Sequence, residues 1–426
     1  MKILIRPKGL LLGVLCLIIC LYGISPYSMT NDINTQFYTT IIIYIMLVLF
    51  FPNELVSILF NKKYIYAYLY PAFLFLCYFN SWSVLGEAVF SLINTTIPLV
   101  LFIMMENEEE IWINRINRIT AMYIVVICVF TLYMLRKNPL ICRLLAHYRY
   151  WENLNTTELF LTGGFDFIYS LVLISGVLLH YSREAALPKN LRRLFLVYYI
   201  LCVICVLASS YTTALLLICL ESLCIFYFSL VNKSRTHTII FVLLSLFLIL
   251  FFFSLGPFFS ALKVFSPSET VTSRLDDLSQ FFRGEGLGSG DVLGRSVVYE
   301  YSIKTWLEHF WFGVGYSEYS TLGKHGIGGH SELLDHLGYY GTIGTMFFLL
   351  ALFITKNVIM SFIRDENKYI YRIVFYVFIV ELVMNLGYTA TFINSIFLII
   401  PALMYGMERT IEKQRTVKNE LSGEDV

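Results

Sequence analysis

The sequence predicts an all-α integral membrane protein with about twelve transmembrane helices and one large extracytoplasmic loop that contains short helices. Of its 426 residues, 58% are hydrophobic and 14% are charged, and the mean hydropathy is +0.70. A soluble domain usually carries about 25% charged residues. Apolar runs of about 20 residues, enough to cross a bilayer as helices, recur along the chain. The net charge of +1 gives no indication of nucleic-acid binding.

The apolar runs give the order of the predicted spans. The first follows the basic start MKILIRPKG. No small-residue cleavage site comes after it, so we interpret it as an uncleaved first helix. A tight serine-rich turn separates the seventh and eighth spans. The predicted spans are residues 9–25, 37–60, 64–80, 83–105, 119–135, 161–181, 194–208, 211–231, 238–256, 337–355, 370–386 and 391–407.

The distribution of basic residues predicts the side of the membrane on which each connection lies. With a cytoplasmic N-terminus, short outer connections near Asn80, Ser209 and Gly387 carry no Lys or Arg. The cytoplasmic connections are basic, as membrane proteins generally require. The pattern predicts a membrane domain (1–256), an extracytoplasmic loop (257–336), a second membrane region (337–407) and a cytoplasmic tail (408–426). The basic residues on the cytoplasmic side are Lys62, Lys63, Arg115, Arg118, Arg183, Lys189, Arg192, Arg193, Lys233, Arg235, Lys356, Arg364 and Lys368.

Two predicted outer segments are basic as well, residues 136–159 and 257–336. Long loops cross the membrane regardless of charge, so these residues do not contradict the topology. They are either solvated loops of mixed charge or the binding surface for an anionic ligand. The basic residues are Arg136, Lys137, Arg143 and Arg149 in the first segment, and Lys263, Arg274, Arg283, Arg295, Lys304 and Lys324 in the second.

The second half of the large loop predicts a helix followed by a turn. From Arg295 to Trp311, the pattern brings Val298, Ser302, Trp306 and Phe310 near one face of a helix. Its aromatic end favours a position along the membrane surface. The glycines of FGVGY, residues 312–316, end the helix. A GxG without a following strand and helix is weak evidence for a phosphate cradle, so we interpret it as a turn.

The stretch GGHSELLDHLGYYGTIG, residues 328–344, predicts an active site at the start of the tenth span. Ser331 is a plausible N-cap, and His330 precedes it beside the positive end of the helix dipole. That position favours a neutral imidazole that can accept a proton. The negative charges of Glu332 and Asp335 favour the protonated imidazole instead. Asp335 is also a candidate to orient the ring or the substrate.

Two other interpretations of this stretch remain open. His330 could be an interfacial histidine bonded to a loop carbonyl. A metal site could be built from His325, His330, Asp335 and His336, although they match no tight ligand spacing. The further positions Leu333, Leu337, Gly341 and Gly344 are predicted to serve packing, with the glycines allowing close approach.

Arg274 and Arg295 are the candidate phosphate ligands. A guanidinium binds phosphate oxygens through two parallel hydrogen bonds and keeps its charge when half-buried. The alternative for each is an ion pair with a nearby acid, Asp276, Asp277 or Asp291.

Together these motifs resemble the O-antigen polymerase and ligase superfamily. The resemblance rests on Arg295 ahead of an aromatic helix, on Trp306 and FGVGY, and on HSELLDHLGYYGTIG before a span. It covers residues 273–344 most specifically. It implies an integral membrane glycosyltransferase that uses polyprenyl-diphosphate-linked oligosaccharide outside the bacterial cytoplasmic membrane, without a metal or other cofactor. It also implies partners in the same pathway, a flippase and a chain-length regulator.

The resemblance implies roles for three residues. Arg274 and Arg295 would bind the lipid diphosphate, and His330 would assist the acceptor hydroxyl, with Asp335 beside it. Further candidate substrate contacts are Arg143, Arg149, Glu332 and Lys324.

The chain departs from the family pattern in two places. Ligases commonly follow the histidine with asparagine, whereas Ser331 with the downstream Leu334-Asp335 is more similar to repeat-unit polymerases. Relatives often carry an arginine in the outer turn that is Ser209-Ser210-Tyr211-Thr212 here. Arg143 or Arg149 could supply that contact.

Two rival classes are disfavoured. A transporter of the same lipid-linked glycan needs a polar path through the membrane. The predicted spans hold Glu87, Asp166, Glu221 and Glu381 but no cationic lining for an anionic substrate. A sensor or scaffold is disfavoured because the sequence shows no sizeable soluble domain.

Overall fold

Helices are the regular secondary structure of the computed structural model, and no strand occurs in the ranges it describes. The predicted all-helical class is therefore confirmed for those ranges. They are residues 7–24, 33–78, 86, 89, 96–104, 110–145, 155–209, 211–231, 260–261, 263–265, 272, 276, 279, 291–315, 326–385 and 390–422.

Several of the described helices overlap predicted spans. Short 3-10 turns lie at Ile65–Tyr68 and Lys263–Phe265, a π-helical turn lies at Ser395–Ile399, and residues 96–104 are also helical. The α-helices are α1 (Pro7–Ile24), α2 (Ile33–Phe50), α3 (Pro52–Leu59), α4 (Leu69–Cys77), α5 (Glu110–Lys137), α6 (Ile141–Leu144), α7 (Thr156–Leu161), α8 (Phe165–Arg183), α9 (Lys189–Ala208), α10 (Thr212–Val231), α11 (Asp291–Glu308), α12 (Glu332–Met360), α13 (Lys368–Met384), α14 (Ala390–Asn394) and α15 (Ile400–Ser422).

Within the described ranges, five helices are long and apolar enough to cross a membrane, or six if a bent pair is one span. The chain is thus a helical membrane protein. The count of about twelve spans stays a prediction. Predicted span 238–256 and most of 83–105 lie outside the described residues, as does most of the loop before Asp291. Helix α15 runs through the predicted start of the tail at 408.

The predicted span 37–60 is bent by 109° between α2 and α3. Phe51, between them, has φ −135° and ψ 44°, and Pro52 begins α3. Proline has no N–H to donate, and its ring disfavours the α conformation of the residue before it. The Phe-Pro pair therefore breaks the helix, although the apolar run continues through it.

The described helices place predicted outer connections together at one end of the bundle. Tyr211, at the start of α10, packs against Phe165 and Tyr169 of α8, and Tyr169 packs against Phe392 of α14. At the same end, the N–H of Glu332 donates to the carbonyl of Asn385 across 3.0 Å.

Predicted inner connections meet at the opposite end of the bundle. There Asn367 donates through Nδ2 to the Glu408 carboxylate at 2.9 Å, and His180 packs edge-on against Tyr369. The two sets of connections therefore lie at opposite ends of the bundle. The side of the membrane on which each end lies stays a prediction.

The predicted helix in the large loop is confirmed as α11, and the predicted turn follows it. Gly313 and Gly315 both have positive φ, 69° and 70°. This left-handed region is easily reached only by glycine. The turn 309–315 packs against the middle of α12.

Helix α12 is interrupted at Gly341, where φ is 65° and ψ is −171°. In an unbroken helix, the N–H groups of Thr342 and Ile343 would donate to the carbonyls of Gly338 and Tyr339. They donate instead to the carbonyls of Phe310 and Trp311, at 2.8 and 3.2 Å.

The two carbonyls left open by the break accept hydrogen bonds from the same turn. The N–H of Val314 donates to Gly338 (3.1 Å), and that of Gly315 donates to Tyr339 (2.7 Å). Every backbone group released by the break is thereby paired, as a buried backbone requires.

The pairing requires two backbones to approach without side chains between them. A Cβ at Gly341 would lie 2.4 Å from the Trp311 carbonyl carbon, and one at Gly313 would lie 2.4 Å from that of Tyr339. A Cβ at Gly344 would lie 2.6 Å from the Phe73 ring. The prediction that Gly341 and Gly344 allow close approach is confirmed.

We expect Gly341→Ala to destabilise the protein by several kcal/mol, because it adds both φ strain and a backbone clash. Each of these costs about 1–3 kcal/mol. The measurement is the thermal unfolding midpoint of purified protein in detergent.

Gly329→Ala is the matched control for this substitution. Gly329 has φ 70° but no atom within 4 Å of the position of a Cβ. It should cost about 1–2 kcal/mol from the left-handed backbone alone. Equal losses for the two variants would contradict the importance of the backbone contact at Gly341.

Candidate active site at the start of α12

The candidate site lies where the first turn of α12 meets α11 and the end of α13. Ser331 is the N-cap, as predicted: its backbone is extended, and its Oγ accepts the N–H of Leu334 at 3.2 Å. The same Oγ lies 3.5 Å from the carbonyl oxygen of Leu382 in α13. Tyr299 of α11 donates to the carbonyl of Met384 at 2.8 Å. Three helices therefore converge on the cap.

Asp335 is buried beneath the loop that leads into α12. Its side chain is only 5% exposed, and its Oδ1 accepts the hydroxyl of Ser302 at 2.5 Å. Its Oδ2 accepts the N–H of Ser331 at 3.4 Å. Ser302, fully buried on α11, also accepts the N–H of Gly328 at 2.9 Å. The carboxylate thus fastens the loop 326–331 to α11.

His330 is exposed at the surface of this fastened loop. It is one residue before the N-cap, as predicted, and is close enough to Asp335 for the two side chains to interact electrostatically. Asp335 lies below the loop and holds its backbone, so His330 presents its ring outward from a fixed position. Its role as the base stays a prediction.

His336 has a different environment from His330, because it is buried in the helix packing. Its Nδ1 is 2.9 Å from the carbonyl oxygen of Glu332, and its Nε2 is 2.9 Å from the hydroxyl of Tyr70. A carbonyl can only accept, so Nδ1 carries the proton and the Tyr70 hydroxyl donates to Nε2. The ring stacks on Phe348 at 4.2 Å. His336 therefore joins α4 to α12.

The alternative metal site considered from the sequence would use His336 as a ligand. Both ring nitrogens of His336 have protein partners. No group of three or more His, Cys, Asp or Glu side chains suited to a metal ion occurs among the described residues. His325 lies outside them.

Glu332 faces His336 in the first turn of α12. Its Oε1 is 3.3 Å from His336 Nδ1, and its side chain is 17% exposed. The predicted contact of Glu332 with substrate is not tested by this geometry and stays a prediction.

The predicted diphosphate ligands are only partly located. Arg295 is in the second turn of α11, but its side chain lies outside the described part of the chain, as do Arg274, Arg149 and Lys324. Of the acids considered as alternative partners for Arg274, Asp276 pairs with Lys263.

Arg143, a predicted substrate contact, lies beside the turn between α9 and α10. Its guanidinium is 5.6 Å from the centre of the Tyr211 ring. The Tyr211 hydroxyl donates to the carbonyl of Cys142 at 2.7 Å. The segment that carries Arg143 is thereby attached to the 209–212 turn, where relatives often carry an arginine.

Sequence reasoning missed the contacts of Ser302 and Tyr70. Ser302 was placed on the correct face of the predicted helix, and a small hydroxyl on an otherwise apolar face was the available indication. Tyr70 had none, because it is 266 residues from His336 in the sequence.

A helical membrane protein with this arrangement at a helix start is the class that the structure defines. Residues 197–349 match the family model described as O-antigen ligase. The matched region includes Ser302, the turn after α11, His330 and Asp335. The resemblance to the O-antigen polymerase and ligase superfamily is thereby confirmed for this part of the chain. No curated protein matches the sequence.

We expect Ser302→Ala to cost about 1–3 kcal/mol, because it removes a hydrogen bond from a buried carboxylate. Combined with Asp335→Asn, it should give a coupling energy of about 0.5–3 kcal/mol. The measurement is a double-mutant cycle on unfolding midpoints in detergent.

Thr305→Ala is the control on the same buried face of α11. Its hydroxyl is 3.4 Å from the carbonyl oxygen of Gly326, a longer contact than the 2.5 Å between Ser302 and Asp335. Its effect should be additive with Asp335→Asn. Additive effects for Ser302 as well would contradict the proposed fastening of the loop.

Proposed function

We propose that this protein is a membrane glycosyltransferase that polymerises polyprenyl-diphosphate-linked oligosaccharide repeat units. The product would be O-antigen, capsular polysaccharide or exopolysaccharide, made on the outer face of the bacterial cytoplasmic membrane. The observation that carries the proposal is the exposed His330 on a loop fastened by Asp335 at the start of an apolar helix. This arrangement lies inside the region that matches the O-antigen ligase family model.

In the proposed reaction, a sugar hydroxyl of one lipid-linked repeat unit attacks the anomeric carbon of the growing glycan. The new carbon–oxygen bond forms as the bond to the diphosphate breaks, and the diphosphate leaves with the bonding electrons. The hydroxyl proton goes to the imidazole of His330. General base catalysis of this kind contributes about 10²–10⁴-fold in rate.

Asp335 serves this step as a positioning residue. It is 5% exposed and bound to Ser302 and the Ser331 N–H, so it holds the backbone on either side of His330. A rigid support keeps the base within reach of the acceptor hydroxyl, and small displacements of such groups are costly in rate.

Arg274 and Arg295 are proposed to neutralise the departing diphosphate. Fixed positive charges aimed at developing negative charge are often the largest contribution to catalysis. Arg143, beside the 209–212 turn, is a further proposed contact. Arg149, Glu332 and Lys324 are the remaining candidates.

O-antigen ligase activity is the second candidate, because the matching family model carries that description. In that reaction the finished glycan moves to a different acceptor. Ser331, in the position after the histidine, is the reason we favour polymerisation. The proposed partners are a flippase and a chain-length regulator. Both termini of the chain are proposed to lie in the cytoplasm.

We expect His330→Ala to lower polymer formation by about 10²–10⁴-fold while the protein stays folded, because it removes the base but no packing contact. The measurement is surface glycan from a deletion strain complemented with each variant. His309→Ala removes another exposed histidine, at the end of α11, and should retain activity.

The form of the accumulated glycan distinguishes the two candidates. Single repeat units on the lipid or on the surface acceptor support a polymerase. Long chains left on the lipid support a ligase. Polymer of normal amount and length from His330→Ala would reject the catalytic role of the histidine.

We expect Arg274→Lys and Arg295→Lys each to lose most activity, because a lysine cannot reproduce two parallel hydrogen bonds to a diphosphate. The measurement is transfer between lipid-linked repeat units by purified protein. Lys304→Arg is a matched control on α11, since Lys304 is exposed and paired with Glu300. Full activity of either arginine variant would assign that arginine to structure.

A further inference from the structure

Three carboxyl groups lie inside the apolar bundle, each on a different helix. Asp166 is on α8, Glu221 on α10 and Glu381 on α13, and all three helices pack against one another. Glu221 and Glu381 are completely buried, and Asp166 is 3% exposed. Ionisable groups in such positions are costly and usually have a function.

Glu381 is the most unusual of the three. Neither of its carboxyl oxygens has a hydrogen-bond partner among the described residues. It lies close enough to Glu221 and Asp166 for electrostatic interaction. A negative charge here would have no hydrogen-bond donor among the described residues and would face two further acids. A cation bound at the carboxyl group would offset this charge.

Glu221 is fixed against α8, and its helix, α10, packs against α13, which carries Glu381. Its Oε2 accepts the Ser175 hydroxyl at 3.1 Å. A Cβ at Gly176 would lie 2.5 Å from its Cδ and Oε1, so this glycine leaves room for the carboxyl group. The Oε1 atom has no hydrogen-bond partner among the described residues.

We propose that Glu381 and Glu221 form a proton-binding site within the membrane, which exchanges its proton with water at the end of the bundle that holds the candidate active site. A proton needs only one carboxyl oxygen, whereas a metal cation needs several ligands. No set of three acidic, His or Cys side chains suited to a metal ion occurs among the described residues. The assignment does not depend on the proposed glycan chemistry.

Glu381 lies near the end of α13 that meets the loop before α12, so its proton would exchange with water at that end of the bundle. The next residue, Leu382, has its carbonyl oxygen 3.5 Å from the N-cap hydroxyl of Ser331. Asn385, one turn further, accepts the N–H of Glu332. Glu381 is thus within about one helical turn of the loop that carries the exposed His330.

Other titratable groups of the described helices lie near the pair. Tyr199 of α9 and Cys224 of α10 are close enough to Glu221 for electrostatic interaction. On α8 there is Asp166. On α12, Glu332, Asp335 and His336 lie in the turn that meets the end of α13. Lys356 lies at the other end of α12, 5.4 Å from the Phe375 ring. The π-helical turn Ser395–Ile399 contains no titratable residue.

The test is infrared spectroscopy of the full-length protein in lipid vesicles, as wild type minus Glu381→Gln. We expect a band of a protonated carboxylic acid that shifts when H₂O is replaced by D₂O, since the proton exchanges. Glu221→Gln should shift this band, because it changes the neighbouring carboxyl group. Signals of a carboxylate, or a band that never exchanges, would overturn the site.

Labelling with dicyclohexylcarbodiimide, an apolar reagent, tests the same site chemically. The carboxyl proton moves to a carbodiimide nitrogen while the carboxyl oxygen bonds to the central carbon, so only the protonated acid reacts. We expect modification of Glu381, falling about tenfold per pH unit above its titration point. Asp365, an exposed carboxylate paired with Lys368, is the control and should stay unmodified.

Adding sodium ions to the labelling experiment distinguishes a bound proton from a bound metal cation. At constant pH, the extent of modification should not change with NaCl or KCl concentration at constant ionic strength. Protection of Glu381 by Na⁺ would show a metal cation at the site and overturn the proton assignment. Absence of modification at every pH, together with a carboxylate infrared signature, would do the same.

Discussion

The exchange of backbone hydrogen bonds at Gly341 is the constraint on which the candidate site depends. Helix α12 gives up two of its own bonds, and the turn after α11 replaces them with four bonds between the two segments. A break in a helix inside a membrane is tolerated only when neighbouring protein satisfies the released groups. Here the neighbour is the turn 309–315 after α11, which thereby packs against a membrane helix.

Because α11 is fixed at its end by this exchange, its buried face can hold the loop before α12. Ser302 lies two turns before the turn that pairs with α12, and it bonds both Asp335 and the Gly328 N–H. The tyrosine at 78 adds a further bond, since its hydroxyl donates to the carbonyl of Phe312. The positions of His330 and Ser331 therefore follow from contacts on both sides of the loop.

The two histidines of the motif, His330 and His336, have different environments. His336 is buried, with both nitrogens bonded and its ring stacked on Phe348. His330, six residues earlier in the sequence, is exposed. The buried acids of α10 and α13 form a second polar region, inside the bundle, whose carboxyl oxygens have few hydrogen-bond partners in the described part of the chain.

The sequence by itself determined the helical membrane class, the Ser331 N-cap, helix α11 and the turn at Gly313 and Gly315. These features depend on hydropathy, on a capping hydroxyl and on glycine conformation, all of which act within a few residues. The bend at Phe51 was also local, but the apolar run concealed it. The tertiary structure alone decided that Tyr70 bonds His336, that Ser302 bonds Asp335 and that Arg143 lies beside Tyr211. Such contacts join residues far apart in the chain, and only the packing of the helices brings them within hydrogen-bonding distance.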